Sequence, residues 1–113
     1  MKQIREILAD LYDCESDLEN LEFLVNALRT ASEKMGSTVV KTISHKFSPT
    51  GITVFMILAE THISIHTWPE HKYAALDIFI CNEDIDPEIG WNVVKSVLKP
   101  SSFKMQKMIR NIP

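Results

Sequence analysis

Imidazoles and a hydroxyl alternate along Thr61-His62-Ile63-Ser64-Ile65-His66-Thr67-Trp68, and this stretch concentrates most of the chain's chemical potential. In an extended backbone successive side chains point to opposite faces, so His62, Ser64 and His66 share one face and Thr61, Ile63 and Ile65 the other. A sheet face ordinarily buries apolar residues, whereas this one offers two imidazoles and an alcohol. A shared metal is one chemistry to weigh, because histidines four apart suit a helix. On a strand, four steps of about 3.3 Å set them roughly 13 Å apart. Two ligands of one zinc lie within about 4 Å, each Zn–N bond being roughly 2 Å, so no metal site is expected. Ser64 or Cys81 with His66 would make a nucleophile and base, yet no G-x-S-x-G elbow precedes a helix.

The elements that must position these residues are legible from periodicity. Ile4, Ile7, Leu8 and Leu11 have a spacing that suits a helix, although the second half of this segment also reads as strand. Ser16-Asp17-Leu18-Glu19 has the form of a capping box. Leu18, Leu21, Leu24, Val25, Leu28, Ala31 and Met35 then make one apolar stripe, closed by Gly36 at a left-handed C-cap. A helix over about 17–35 is predicted. From residue 37 β-branched residues dominate, and the runs 38–43 and 51–59 form a hairpin about Ser48-Pro49-Thr50-Gly51. The runs 62–68 and 73–81 make two further strands. Asp86-Pro87-Glu88 is an N-cap, a proline at the first helical position and an early acid, and Pro100 stops the helix that follows. Residues 99–110, with Lys104, Lys107 and Arg110 among Phe103, Met105 and Met108, read as a closing strand. The expected fold is α+β, a two-layer sandwich with an antiparallel sheet and two helices on one face.

The chain has 113 residues, 45% of them hydrophobic, enough for one domain and too few for two ordinary ones. A domain this small with a sheet to cover gains from a partner subunit, so a homo-oligomer is expected. A net charge of −3 with dispersed Lys and Arg argues against nucleic acid. No apolar run is long enough for a membrane span, and the charged start Lys2-Gln3-Ile4-Arg5-Glu6 is unlike a signal peptide, so a cytoplasmic protein is expected. Cys14 and Cys81 are then expected to be free thiols.

The segment Glu60-Thr61-His62-Ile63-Ser64-Ile65-His66-Thr67-Trp68-Pro69-Glu70, followed by Tyr73-Ala74-Ala75-Leu76-Asp77-Ile78-Phe79-Ile80-Cys81, resembles the signature of prokaryotic S-adenosylmethionine decarboxylase proenzymes. Tyr12-Asp13-Cys14, His45-Lys46-Phe47-Ser48-Pro49 and Asp84-Ile85-Asp86-Pro87 extend the resemblance over nearly the whole chain. It implies a proenzyme that cleaves itself between Glu60 and Thr61, giving a β chain of residues 1–60 and an α chain of residues 61–113. Residue 61 would become a ketoacyl cofactor at the new N-terminus. Thr61 stands where the family has serine, so processing would yield a 2-oxobutanoyl group rather than pyruvoyl. The branched side chain restricts χ1 and crowds the attack.

The resemblance also implies roles. His66 removes the proton during elimination, Thr53 matches a serine that assists processing, and Cys81 matches the thiol that protonates the substrate carbon. Phe47, Ile63, Trp68 and Glu70 fall at substrate-binding positions, the aromatics about the adenine and Glu70 at the ribose hydroxyls. Asn82 follows Cys81 where the family often has glycine. The implied enzyme forms a Schiff base between its ketoacyl group and the substrate amine, works as a homodimer with sites near the interface, and supplies polyamine (spermidine) biosynthesis. Two other readings stay open: a related decarboxylase of arginine or ornithine, and an uncleaved, non-catalytic homologue or trapped precursor that binds a ligand or partner.

Overall fold

The computed structural model describes residues 2–113. Its elements run β1 (Lys2–Tyr12), α1 (Leu21–Met35), β2 (Val39–Lys46), β3 (Ile52–Leu58), β4 (Thr61–Trp68), a short 3-10 turn (Pro69–His71), β5 (Tyr73–Ile80), α2 (Pro87–Leu98) and β6 (Ser102–Ile112). The strands form one sheet in the order β2-β3-β4-β5-β1-β6, with every neighbouring pair antiparallel. The two helices pack on each other and on one face of that sheet, giving the expected α+β sandwich.

Alternation along the strands builds the core. Ile52, Val54, Met56 and Leu58 of β3, Ile63 and Ile65 of β4, and Ala74, Leu76, Ile78 and Ile80 of β5 are buried beneath the helices. Leu24, Leu28 and Ala31 of α1 and Trp91, Val94 and Leu98 of α2 face them. At Gly90 a Cβ would stand 2.7 Å from Met35 Sδ, so the absence of a side chain there makes room for Met35 against α2.

The first segment is strand throughout, from Lys2, and not helix. Sheet pairing on both sides, to β5 and to β6, outweighs the helical spacing of its apolar residues. The capping box at Ser16 does not form either. Helix α1 starts four residues later than expected, with Asn20 as N-cap accepting from Phe23 N–H at 3.0 Å. Ser16 instead donates to the Val97 carbonyl at 2.7 Å, and Glu19 turns outward to the β2–β3 turn. Tertiary partners compete for both side chains, and the helix nucleates at the next residue able to cap it. The C-cap at Gly36 (φ 82°) and the Asp86 cap of α2 stand where the sequence placed them.

Thr67 ties three segments together. Its hydroxyl accepts from Ile52 N–H at 3.0 Å and donates to the Leu18 carbonyl at 2.9 Å, joining β4, β3 and the loop before α1. Replacing Thr67 with valine keeps the shape and leaves both buried groups unpaired. Thr67→Val is expected to cost about 1–3 kcal/mol, read as a lowered midpoint in urea with an unchanged slope.

Candidate active site

Strand β4 lies in the middle of the sheet and carries the site at its two ends. At its start the β3–β4 hairpin turns through Ala59 and Glu60, with Leu58 paired to Thr61. Thr61 is simultaneously paired to Ile80 on the other side. Held from both sides, Thr61 takes φ 135°, a conformation that a β-branched residue rarely adopts. Such a backbone stores about 1–3 kcal/mol. The Glu60 carbonyl accepts a hydrogen bond from Cys81 N–H at 2.9 Å. Thr61 Oγ1 and Glu60 Oε1 are both buried without a hydrogen-bond partner. A polarised carbonyl, an unspent hydroxyl and a strained linkage therefore meet at one peptide bond, with half-buried Cys81 beside it.

The far end of β4 holds a second group. Thr53 and His66 are cross-strand partners, and Thr53 Oγ1 and His66 Nδ1 share a hydrogen bond at 2.8 Å. Around them Phe47, Thr50, Gly51, Trp68 and Glu70 line an open cleft of about 270 Å³. Phe47 and Trp68 are exposed by 51% and 43%, so their rings are available to a flat ligand. Glu19 braces this cleft from outside, accepting from Thr50 Oγ1 at 2.7 Å and Gly51 N–H at 3.0 Å. At Gly51 (φ 107°) a side chain would strain the backbone, and its Cβ would stand a tight 3.2 Å from the Thr67 carbonyl.

The structure brings together Thr61, Glu60 and Cys81 at one end, and Phe47, Thr53, His66, Trp68 and Glu70 at the other. It does not bring the two groups to each other. Five residues of strand separate Thr61 from His66, about 16 Å. Ile63, expected at the substrate, is fully buried under the helices. His62 is packed between the rings of Phe55 and Phe79, at 4.9 and 5.3 Å between centroids. Among the described residues no cluster of three His, Cys, Asp or Glu side chains has metal-binding geometry, and no helix is long and apolar enough to cross a membrane. Cys14 is buried, and burial pushes its thiol up to about 11, with Asp13 adding to the effect. Glu19 was missed as a positioning residue because its sequence signal, a capping box, points to the helix instead.

The sequence profile described as S-adenosylmethionine decarboxylase matches residues 5–111. The chain belongs to that family. It is 36% identical over 107 residues to the S-adenosylmethionine decarboxylase proenzyme of Thermosipho africanus, covering 94% of this chain and 82% of that one. It is 42% identical over 100 residues to the proenzyme of Methanococcus aeolicus, covering 88% and 86%. The adenosylmethionine decarboxylase of Aquifex aeolicus superposes with a TM-score of 0.91 at 31% identity, covering 99% of this chain and 93% of that structure.

The brace at Glu19 sets a pH dependence on this end of the S-adenosylmethionine decarboxylase fold. The Gly51 N–H, then the Thr50 hydroxyl, hold its carboxyl below the ordinary 4.5. Because the folded pKa is depressed, the brace is fully present above about pH 4.5 and is lost as pH falls through the folded value. The Gly51 amide shift should titrate with a midpoint below 4.5, and Glu19→Gln should abolish that titration in NMR spectra.

Proposed function

We propose that this chain is a self-processing decarboxylase of S-adenosylmethionine that severs its own Glu60–Thr61 bond. The observation that carries the proposal is Thr61 itself, at φ 135° with an unspent buried hydroxyl beside a carbonyl that Cys81 N–H polarises. Thr61 Oγ1 adds to the Glu60 carbonyl carbon, and Cys81 N–H is placed to hold the developing oxyanion. The C–N bond then breaks, the nitrogen takes the hydroxyl proton, and an ester replaces the amide. Removal of the Thr61 α-proton by an imidazole drives elimination, which breaks the Cβ–O bond and releases the Glu60 carboxylate. One water hydrolyses the resulting enamine, releasing ammonia and leaving a 2-oxobutanoyl group on residues 61–113. Residue 61, paired to Ile80 with Cys81 beside it and its side-chain oxygen buried without a partner, would carry such a group, which would supply a sink for the electrons left by departing CO₂.

His66 is the imidazole suited to the α-proton, its ring oriented by Thr53, but within one protomer it stands about 16 Å from Thr61. A second copy resolves this. The face of the sheet away from the helices exposes Ile43, Ile57, Trp68 and Met108. Packing two such faces about a two-fold axis near Ser64 runs the β4 strands antiparallel and lays the Glu60–Thr61 turn of one at the His66 end of the other, where the base is needed at the Thr61 α-carbon and not at its inward-facing hydroxyl. The active unit is then a homodimer with two composite sites. Each joins Thr61 and Cys81 of one subunit to the Phe47, Thr53, His66, Trp68 and Glu70 cleft of the other. Exposed aromatic faces and a carboxylate suit a cationic nucleoside better than a bare basic amino acid such as arginine or ornithine, which favours S-adenosylmethionine. Cys81, a half-buried free thiol beside the linkage, is the acid that returns a proton to the substrate carbon after decarboxylation in this reading.

Two measurements test this. Incubated protein should resolve, by intact mass under denaturing conditions, into residues 1–60 and a 61–113 fragment bearing a ketoacyl end, and Thr61→Ser should cut faster. A single mass of about 12.9 kDa in both chains would replace the proposal with an uncleaved binding protein. Composite sites predict complementation in the Thr61→Ser background. A His66→Ala chain should stay whole alone, and should be cut when refolded with a chain that carries His66 and has alanine substituted at Thr61.

A further inference from the structure

We propose that Arg5 is the positioning residue for the Cys81 side of the site. Arg5 lies on β1 opposite Ile80, one residue before Cys81. Its Nη2 donates to the carbonyls of Asn82 at 3.1 Å, Glu83 at 3.2 Å and Ile85. Three carbonyls turned to one point in a loop would repel one another and lie outside any sheet ladder. Nη2 has two N–H groups for the three carbonyls, so one hydrogen is shared, and the full charge of the guanidinium is what draws all three to one point. In the neighbouring cleft Lys107 is paired with Glu88, and the Asp86 carboxylate accepts from Glu88 N–H.

The loop is ordered from within as well. Asn82 Oδ1 accepts from Asp84 N–H at 2.9 Å, the Asn82 carbonyl accepts from Ile85 N–H at 3.2 Å, and the loop delivers the chain to the Asp86 cap of α2. Asn82 thereby has a structural use that glycine lacks. Cys81 is the hinge of this arrangement. On one side it follows the last paired residue of β5, and on the other it leads into the loop that Arg5 clamps. Both contributions of Cys81, the N–H on the Glu60 carbonyl at 2.9 Å and the thiol, depend on where that loop holds it. Within one protomer Arg5 shares neither a hydrogen bond nor the cleft with Phe47, Trp68 or Glu70, so its influence reaches the site through Cys81.

The catalytic consequence rests on the self-processing reading, whereas the clamp itself rests on geometry, and the experiment separates them. In a chain made uncleavable by Thr61→Ala, Cys81 amide exchange and peptide-mapped alkylation of its thiol are measured with Arg5 intact, with Arg5→Ala and with Arg5→Lys. Arg29→Ala, on the exposed face of α1, serves as control. Arg5→Ala should speed both Cys81 readouts by about tenfold or more, Arg5→Lys should recover part of the protection, and Arg29→Ala should change neither. In cleavable Thr61→Ser chains, Arg5→Ala should slow processing about 10 to 100-fold and lower kcat of the processed enzyme with KM unchanged. Cys81 readouts within twofold of the parent in Arg5→Ala would overturn the clamp, and a KM that rises while kcat holds would overturn its catalytic consequence. If no chain is cut, the self-processing reading fails while the uncleavable series still decides the role of Arg5. Should Arg5→Ala not fold, Arg5→Lys against the parent gives the same comparison.

Discussion

Strand β4 is hydrogen-bonded on both sides up to its first residue, and most of what is distinctive in this molecule follows from that constraint. Pairing of Thr61 with both Leu58 and Ile80 leaves Ala59 and Glu60 to reverse the chain. The cost falls on Thr61, whose φ of 135° suits a β-branched residue poorly. A looser loop would relax the linkage and release the Glu60 carbonyl from Cys81 N–H. The core beneath β3, β4 and β5 keeps the ladder in register, so the packing energy of the whole domain is what holds Thr61 in an unfavourable backbone conformation.

The same strand explains why the site is divided. Alternation places His62, Ser64 and His66 on one face, which the sequence alone carried because a period of two needs no tertiary knowledge, and the fold turns that face away from the helices. Strand length then separates Thr61 from His66, which is equally a property of extended backbone. Apolar side chains left on the open face and a site split between the ends of one strand are complementary facts. Each half lacks what a second copy presents.

Legibility followed the range of the interactions. Both helices, the β2–β3 hairpin and the left-handed cap at Gly36 rest on neighbours in sequence and were readable there. The start of α1 was not, because Ser16 and Glu19 are spent on Val97 and on the Thr50–Gly51 turn, partners far away in the chain. β1 was ambiguous for the same reason: its helical spacing is overruled by two strands that arrive later, β5 and β6. Among candidate site residues, Phe47, Thr53, His66, Trp68 and Glu70 gather in one cleft, whereas Ile63 turns inward, as its alternation with His62 and Ser64 already required. Arg5 carried no motif, since its partners are main-chain carbonyls that look alike in any sequence.

The strand order β2-β3-β4-β5-β1-β6 has a consequence for what a break after Glu60 would do. Residues up to 60 supply β2, β3 and β1, and the remainder supply β4, β5 and β6. The two pieces are therefore interleaved, with β1 inserted between β5 and β6 and α1 packed on α2. Parting them means tearing three strand seams and the helical layer at once, which amounts to unfolding the domain. A severed chain would thus persist as a single mechanical body, its fragments locked like the fingers of two hands, with the new ends free to do chemistry that an intact backbone forbids.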